Sequence, residues 1–406
     1  MVALPAVESV LTASLPYIGR KKTKNGYRFR SYGGYPPNQY EQTKKENKME
    51  DLRLMKGNEA FAEAAIRAGC DGYFGYPITP QSEVMEYLMK ERPENRTGMV
   101  VLQAESEVSS INMVYAGAGC GKRVMTSTSS PGYSLMQEGM SYIAAAELPC
   151  IVLNVVRGGP GLGTIQPSQS DYFQATKGGG HGDYRLIVLA PSSVQEMSDF
   201  VSMGFDLAFK YRNPVLILAD GVIGQTMEKV VLQPQRPRLT EEEIRKNTPW
   251  ATVGKSIDRE HNIVTSLDLQ AASQEKHVLH LQEKYRQIEA AESRCEMIKC
   301  EDAEYVLVAY GSSARICQKA VDLLRAKGVK VGLLRPITLW PFPSKEVKEL
   351  ASRVKGFMSV EMSLGQMVED VKLAVEGKVK VEFFGRCGGI VPAPEEVVHA
   401  VETKLL

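Results

Sequence analysis

Several features are scarce in this chain, and each scarcity argues against a class of protein. None of the seven cysteines (Cys70, Cys120, Cys150, Cys295, Cys300, Cys317, Cys387) stands in a C-x-x-C pair. Thiols scattered in this way argue against a disulfide framework, structural zinc or an iron–sulfur cluster within the chain, and suit a reducing cytoplasm. No apolar run approaches the roughly 18 residues of a membrane span. The segment from Leu11 to Ile18 is broken by Ser14 and Pro16, which argues against a secretory leader. An excess of charge is lacking too. Lys+Arg 49 against Asp+Glu 48 leaves a formal net charge of +1, which gives no electrostatic reason for a nucleic-acid or anionic-membrane partner. Phosphate loops of the G-x-x-x-x-G-K-[ST] type and H-x-x-x-H metal spacing are both absent.

The composition that remains is that of a globular protein. With 406 residues, 43% hydrophobic and 24% charged, the chain can bury a sizeable core in about two to three domains. Residues 1–48 show neither strand nor helix periodicity and carry Gly33-Gly34-Tyr35-Pro36-Pro37 and Lys44-Lys45-Glu46. They are expected to be poorly ordered or an extension of the folded unit, with Met49 or Met55 as alternative starts. From there strand and helix patterns alternate to Ala219. This predicts one doubly wound parallel α/β domain over 55–232, with Val215–Ala219 as its last strand. The proline-containing stretch from Gln233 and a charged, solvated helix from His277 to Ser293 read as linker and spacer over 233–300. A smaller α/β unit of about four short strands follows over 301–406, with Arg335–Pro343 as a loop.

Met99-Val100-Val101-Leu102-Gln103-Ala104-Glu105-Ser106-Glu107 reads as a buried strand that ends on two carboxylates. The bland account of those carboxylates is charge complementarity with the next helix. Thr79, Glu105, the Ser127–Ser130 turn and Arg157, however, each follow one of the domain's first four strands, so all should share the edge where such sheets bind ligands. Gly158-Gly159-Pro160-Gly161-Leu162-Gly163 follows a strand, but Pro160 and the lack of an immediate helix favour an active-site loop over a dinucleotide cradle. His181 in its glycine loop, and His277 and His280, read as surface residues, and no serine or cysteine nucleophile stands out.

The combination of Tyr76-Pro77-Ile78-Thr79-Pro80, Leu102-Gln103-Ala104-Glu105, Thr126-Ser127-Thr128-Ser129-Ser130-Pro131-Gly132, Arg157-Gly158-Gly159-Pro160 and Leu334-Arg335-Pro336-Ile337-Thr338-Leu339-Trp340-Pro341-Phe342-Pro343 resembles the alpha subunit of 2-oxoacid:ferredoxin oxidoreductases. The resemblance runs from about Met55 to the C-terminus. It implies a pyrimidine-binding thiamine diphosphate domain followed by a transketolase C-terminal-like domain. It also implies a glutamate on N1′ of the cofactor's aminopyrimidine, assigned to Glu105 with Glu107 as the rival. Such a carboxyl favours the imino tautomer that deprotonates the thiazolium. By the same resemblance Ser129 and Ser130 would help hold the cofactor, and Thr79 and Arg157 would hold the substrate carboxylate.

Ala219-Asp220-Gly221 with Asn247 lacks the leading glycine and second asparagine of a magnesium–pyrophosphate motif, and reads as a chance near-match. The resemblance therefore implies that a thiamine-pyrophosphate-binding beta subunit holds magnesium and pyrophosphate. A ferredoxin-like iron–sulfur subunit and a gamma subunit would complete a cytoplasmic complex that uses a 2-oxoacid and coenzyme A. Arg157–Asp171 and the Leu279–Tyr285 helix look most like the 3-methyl-2-oxobutanoate (branched-chain) type, with the 2-oxoglutarate type as runner-up. A beta chain of a lipoate-linked 2-oxoacid dehydrogenase, and a non-catalytic scaffold of the same fold, are the other readings.

Overall fold

Short apolar strands separated by amphipathic helices fold into parallel sheets because the right-handed crossover returns each strand beside an earlier one and lays its helix on a face. The computed structural model describes residues 51–255, 257 and 259–406. The N-terminal stretch expected to lack order, residues 1–48, lies outside the described residues. Fourteen strands are found among those described: β1 Asp51–Lys56, β2 Gly72–Gly75, β3 Val100–Gln103, β4 Val124–Thr128, β5 Ile151–Val156, β6 Ile187–Leu189, β7 Val215–Asp220, β8 Met227–Leu232, β9 Cys295–Ile298, β10 Tyr305–Val308, β11 Val331–Pro336, β12 Thr338–Trp340, β13 Gly356–Glu361 and β14 Lys380–Gly385.

The first domain is a seven-stranded sheet in the order β12-β6-β7-β5-β4-β2-β3, parallel except for β12. Helices Gly57–Arg67, Ser82–Glu91 and Val194–Tyr211 pack together, and Glu107–Gly119 packs on Ser130–Ala145. β4, β5 and β7 are buried along their whole length. β3 corrects the expectation of a buried strand. It is the edge strand, with Val100 51% and Leu102 38% exposed, because β4 pairs with β2 rather than β3. β1 and β8 form an antiparallel pair that begins at Asp51, four residues before Met55.

The second domain orders its strands β14-β13-β10-β11-β9. The first four are parallel and β9 is antiparallel, which makes five strands where about four were expected. The spacer contributes β9, so its end belongs to the sheet. The loop expected at Arg335–Pro343 contains β12, which crosses back and extends the first domain's sheet beside β6. Val215–Ala219 therefore does not complete that sheet. One core cluster runs from Phe61 and Ile151 through Trp340 to Val375, so the two domains share an apolar interior. The spacer helix, Ala271–Glu292, is not merely solvated: Leu281, Lys284, Tyr285, Ile288 and Glu292 are buried, and Tyr285 meets Trp340 edge to face at 5.8 Å.

Candidate active site at the strand ends

Because β2, β3, β4 and β5 run parallel, their C-terminal ends lie along one edge of the sheet. The loops after them meet around the first turn of the Ser130–Ala145 helix. Pro131 suits that turn, since its missing N–H is one the first turn would leave unpaired anyway. The Ser130 N–H instead reaches Asn154 Oδ1 at 2.9 Å, and Asn154 donates its own amide to Asp171 Oδ2 at 2.9 Å.

Arg157, at the end of β5, is 6% exposed. Its backbone N–H donates to Ser130 Oγ at 3.0 Å, and the Ser130 hydroxyl lies 3.3 Å from the Arg157 carbonyl. The guanidinium spans two loops, donating through Nη1 to the Thr79 carbonyl and through Nη2 to the Leu162 carbonyl, both at 3.0 Å. Buried Nε has no acceptor among the described residues. The structure thus brings Thr79, Ser130 and Arg157 together, with the glycine loop as the third wall. That loop is stitched by Gly158 N–H to Gln166 O and Thr164 N–H to Gly158 O.

The two carboxylates part company. Glu105 is exposed and, among the described residues, accepts the Ser109 hydroxyl at 3.3 Å and no other donor. Ser106 caps the following helix through Ser109 N–H, so Glu107 falls in its first turn and turns inward, 6% exposed. A Cβ at Gly132 would collide with both Glu107 Oε1 and Thr128 Oγ1, so the absence of a side chain there makes room for this carboxylate. No donor among the described residues hydrogen-bonds Glu107, and the hydroxyls of Thr128 and Ser129 are buried without partners. Ser129 is fully buried and the Ser130 hydroxyl is engaged within the chain, so both shape the turn from below its surface. A carboxylate lacking a donor, held beside a glycine notch at the sheet's ligand edge, fits the acceptor needed by a ring nitrogen.

Asp171 enters the sequence reading only as the end of the Arg157–Asp171 stretch, with no role of its own. It is half-buried, and burial pushes its carboxyl above the ordinary carboxylate range against the opposing hydrogen bonds from Ser130 and Asn154. Asp220, the near-match to a metal motif, instead caps the helix Gly221–Gln225 through Val222 and Ile223 N–H. It also accepts the Ser312 N–H at 2.9 Å and the Ser312 hydroxyl, and burial raises its carboxyl. It is a joint between the domains. Gln169 is another, donating to Tyr310 O at 2.8 Å while accepting Met362 N–H at 3.0 Å and the Ser313 hydroxyl at 2.6 Å. His277 and His280 lie on the spacer helix and reach Ala145 O at 2.7 Å and Glu147 at 3.2 Å.

A doubly wound sheet with this edge, joined to a second α/β domain, defines the thiamine diphosphate-binding class of fold. Residues 63–299 match the family "Pyruvate flavodoxin/ferredoxin oxidoreductase, thiamine diP-bdg", and residues 303–397 match "Pyruvate:ferredoxin oxidoreductase core domain II". The chain is 53% identical over 337 residues to a ketoisovalerate oxidoreductase subunit VorB of Methanothermobacter marburgensis, covering 83% of this chain and 93% of that one. To a 2-oxoglutarate synthase subunit KorA of Methanocaldococcus jannaschii it is 38% identical over 372 residues, covering 86% and 99%. The solved 2-oxoglutarate:ferredoxin oxidoreductase from Magnetococcus marinus superposes with a TM-score of 0.76 at 28% identity, covering 88% of this chain and 66% of that one. A split-gene transketolase shares the fold, with a TM-score of 0.54 at 13% identity.

The chain belongs to the 2-oxoacid:ferredoxin oxidoreductase family. It is a subunit of a thiamine diphosphate-dependent, ferredoxin-linked enzyme that oxidatively decarboxylates 2-oxoacids. No described helix is long and apolar enough to cross a membrane.

Proposed function

We propose that the chain supplies the aminopyrimidine-facing half of an active site that oxidises branched-chain 2-oxoacids, 3-methyl-2-oxobutanoate foremost, to acyl-coenzyme A and carbon dioxide. The observation that carries this reading is the pairing of Glu107, inward and without a donor, with the Arg157 clamp at the same helix start. Thiamine diphosphate, when bound, would supply a thiazolium ring able to act as nucleophile toward a 2-oxoacid carbonyl and as electron sink on loss of carbon dioxide. Of the two candidate glutamates, Glu107 rather than Glu105 is assigned to the ring nitrogen, because it turns inward beside Gly132 whereas Glu105 is exposed. The buried turn of Ser129 and Ser130 supports the bay. Arg157 binds the substrate carboxylate with Thr79 beside it.

Magnesium and pyrophosphate fall to a beta subunit, since Asp220 is committed to Ser312. Electrons leave through a ferredoxin-like iron–sulfur subunit, and a gamma subunit completes a cytoplasmic complex. The branched-chain preference rests on the likeness to VorB, and a 2-oxoglutarate preference is the alternative that the assay decides.

The test is coenzyme A-dependent viologen reduction by the reconstituted complex with a panel of 2-oxoacids. The fastest turnover is expected with 3-methyl-2-oxobutanoate, and a preference for 2-oxoglutarate would overturn the substrate assignment. In the same assay Glu107→Gln is expected to lower kcat about 100-fold or more, and Glu105→Gln less than about tenfold. The reverse ranking would return the role to Glu105.

A further inference from the structure

We propose that Asp171 is a positioning residue for substrate binding: through Asn154 and Ser130 it fixes Arg157 at the end of β5. The inference rests on the reading above that Arg157 holds the substrate carboxylate.

The hydrogen bonds leave little freedom. An ionised carboxylate can only accept, so the side chain of Asp171 fixes which end of the Asn154 amide faces it. With the Asn154 NH2 donated to Asp171 Oδ2 at 2.9 Å, Asn154 Oδ1 must point the other way, onto the Ser130 N–H at 2.9 Å. This amide carbonyl takes the place of the side-chain cap that the Ser130–Ala145 helix lacks. Ser130, so held, accepts the Arg157 N–H at 3.0 Å and donates its hydroxyl to the Arg157 carbonyl at 3.3 Å. Both backbone polar groups of Arg157 thus rest on one hydroxyl, and the residue that carries it is held at its own N–H by Asn154 and, through Asn154, by Asp171. The guanidinium then meets the Thr79 and Leu162 carbonyls from a fixed base.

Asp171 is itself anchored. It precedes the helix Tyr172–Thr176, whose Tyr172 hydroxyl donates to Asp370 at 2.6 Å and whose Phe173 N–H donates to Gln366 at 2.8 Å, both in the second domain. The second domain thereby sets the height of Asp171 against the substrate site. An arginine displaced at its backbone loses aim without losing charge, so the cost falls on substrate affinity more than on turnover.

The experiment measures KM and kcat for 3-methyl-2-oxobutanoate in the reconstituted complex. Asp171→Ala is expected to raise KM about tenfold, as for loss of one charged hydrogen-bond anchor, with kcat within about threefold of the parent. Asn154→Asp sets two acceptors face to face and is expected to raise KM similarly. The double variant Asn154→Asp/Asp171→Asn reverses the donor and acceptor while keeping Ser130 N–H satisfied, and is expected to restore KM. That repair ties the defect to this hydrogen bond, and the rise in KM at a near-parental kcat separates positioning of Arg157 from a general loss of structure. Unchanged KM in Asp171→Ala, or equal defects in the single and double Asn154 variants, overturns the inference. Arg157→Met run alongside separates the two levels. If it raises KM while Asp171→Ala does not, the inference alone fails; if it leaves KM unchanged, the reading of Arg157 fails with it.

Discussion

A carboxylate competes with water for any donor it is to hold, so two glutamates in one short sequence can have opposite uses. Glu105 stands in solvent, whereas Glu107, two residues on, turns inward toward Gly132. The notch at Gly132 is therefore part of the carboxylate's geometry. Gly132→Ala drives a methyl into both Glu107 Oε1 and Thr128 Oγ1 and is expected to cut thiamine diphosphate-dependent turnover at least about tenfold, while destabilisation stays within about 1–3 kcal/mol. Turnover and urea unfolding measured on the same preparation check both parts, and parental turnover in a folded variant would contradict the claim. The sequence placed Thr79, Arg157 and the hydroxyl turn at one edge because strand ends in a parallel sheet share an edge whatever their side chains do. By resemblance it put Glu105 ahead of Glu107, although both fit the dipole of the same helix start and the cap residue Ser106 decides which carboxylate turns inward. Asp171 was illegible for a related reason: its partner Asn154 belongs to no motif, and Ser130, 41 residues earlier, is paired with it only by the fold.

At the scale of elements, the differences from the expected fold come from long-range pairing. β12 read as a loop because a three-residue strand carries too short a pattern to register, and its partner β6 lies about 150 residues earlier. Arg335, just before it, is buried and donates to Glu196 at 2.7 and 2.9 Å and to Glu296 at 2.9 Å. Arg335→Ala leaves Glu196 short of its cation and is expected to cost about 3 kcal/mol, read as a lower urea midpoint; an unchanged midpoint would show that β12 is held by apolar packing alone. The spacer helix read as solvated because its charges are real, yet one of its faces is buried.

Across that face, burial works against the charge of Glu147, but the His280 hydrogen bond, Lys284 and Arg212 outweigh it and hold the carboxyl well below its ordinary range. A carboxyl depressed in the folded state contributes stability above its unfolded pKa of about 4.3 and loses it as pH falls toward the folded value. Acid titration monitored by unfolding midpoint is expected to show this loss below about pH 4.3, and Glu147→Gln is expected to flatten it. A parental acid slope in that variant would remove Glu147 from the account.

Over the whole molecule, the two domains are joined by one core, by β12, and by the buried joints at Asp220–Ser312 and Gln169–Met362. Under the proposed reading, this joined interior carries one half of a site divided between polypeptides. The chain offers a carboxylate and an arginine clamp, and a group of three or more His, Cys, Asp and Glu side chains able to hold a metal is absent among the described residues. Calorimetric titration of magnesium thiamine diphosphate tests this division most directly. The isolated chain is expected to give no saturable heat, and the chain assembled with its beta subunit one tight site. Tight, magnesium-dependent binding by the chain alone would contradict the division of the site between two polypeptides.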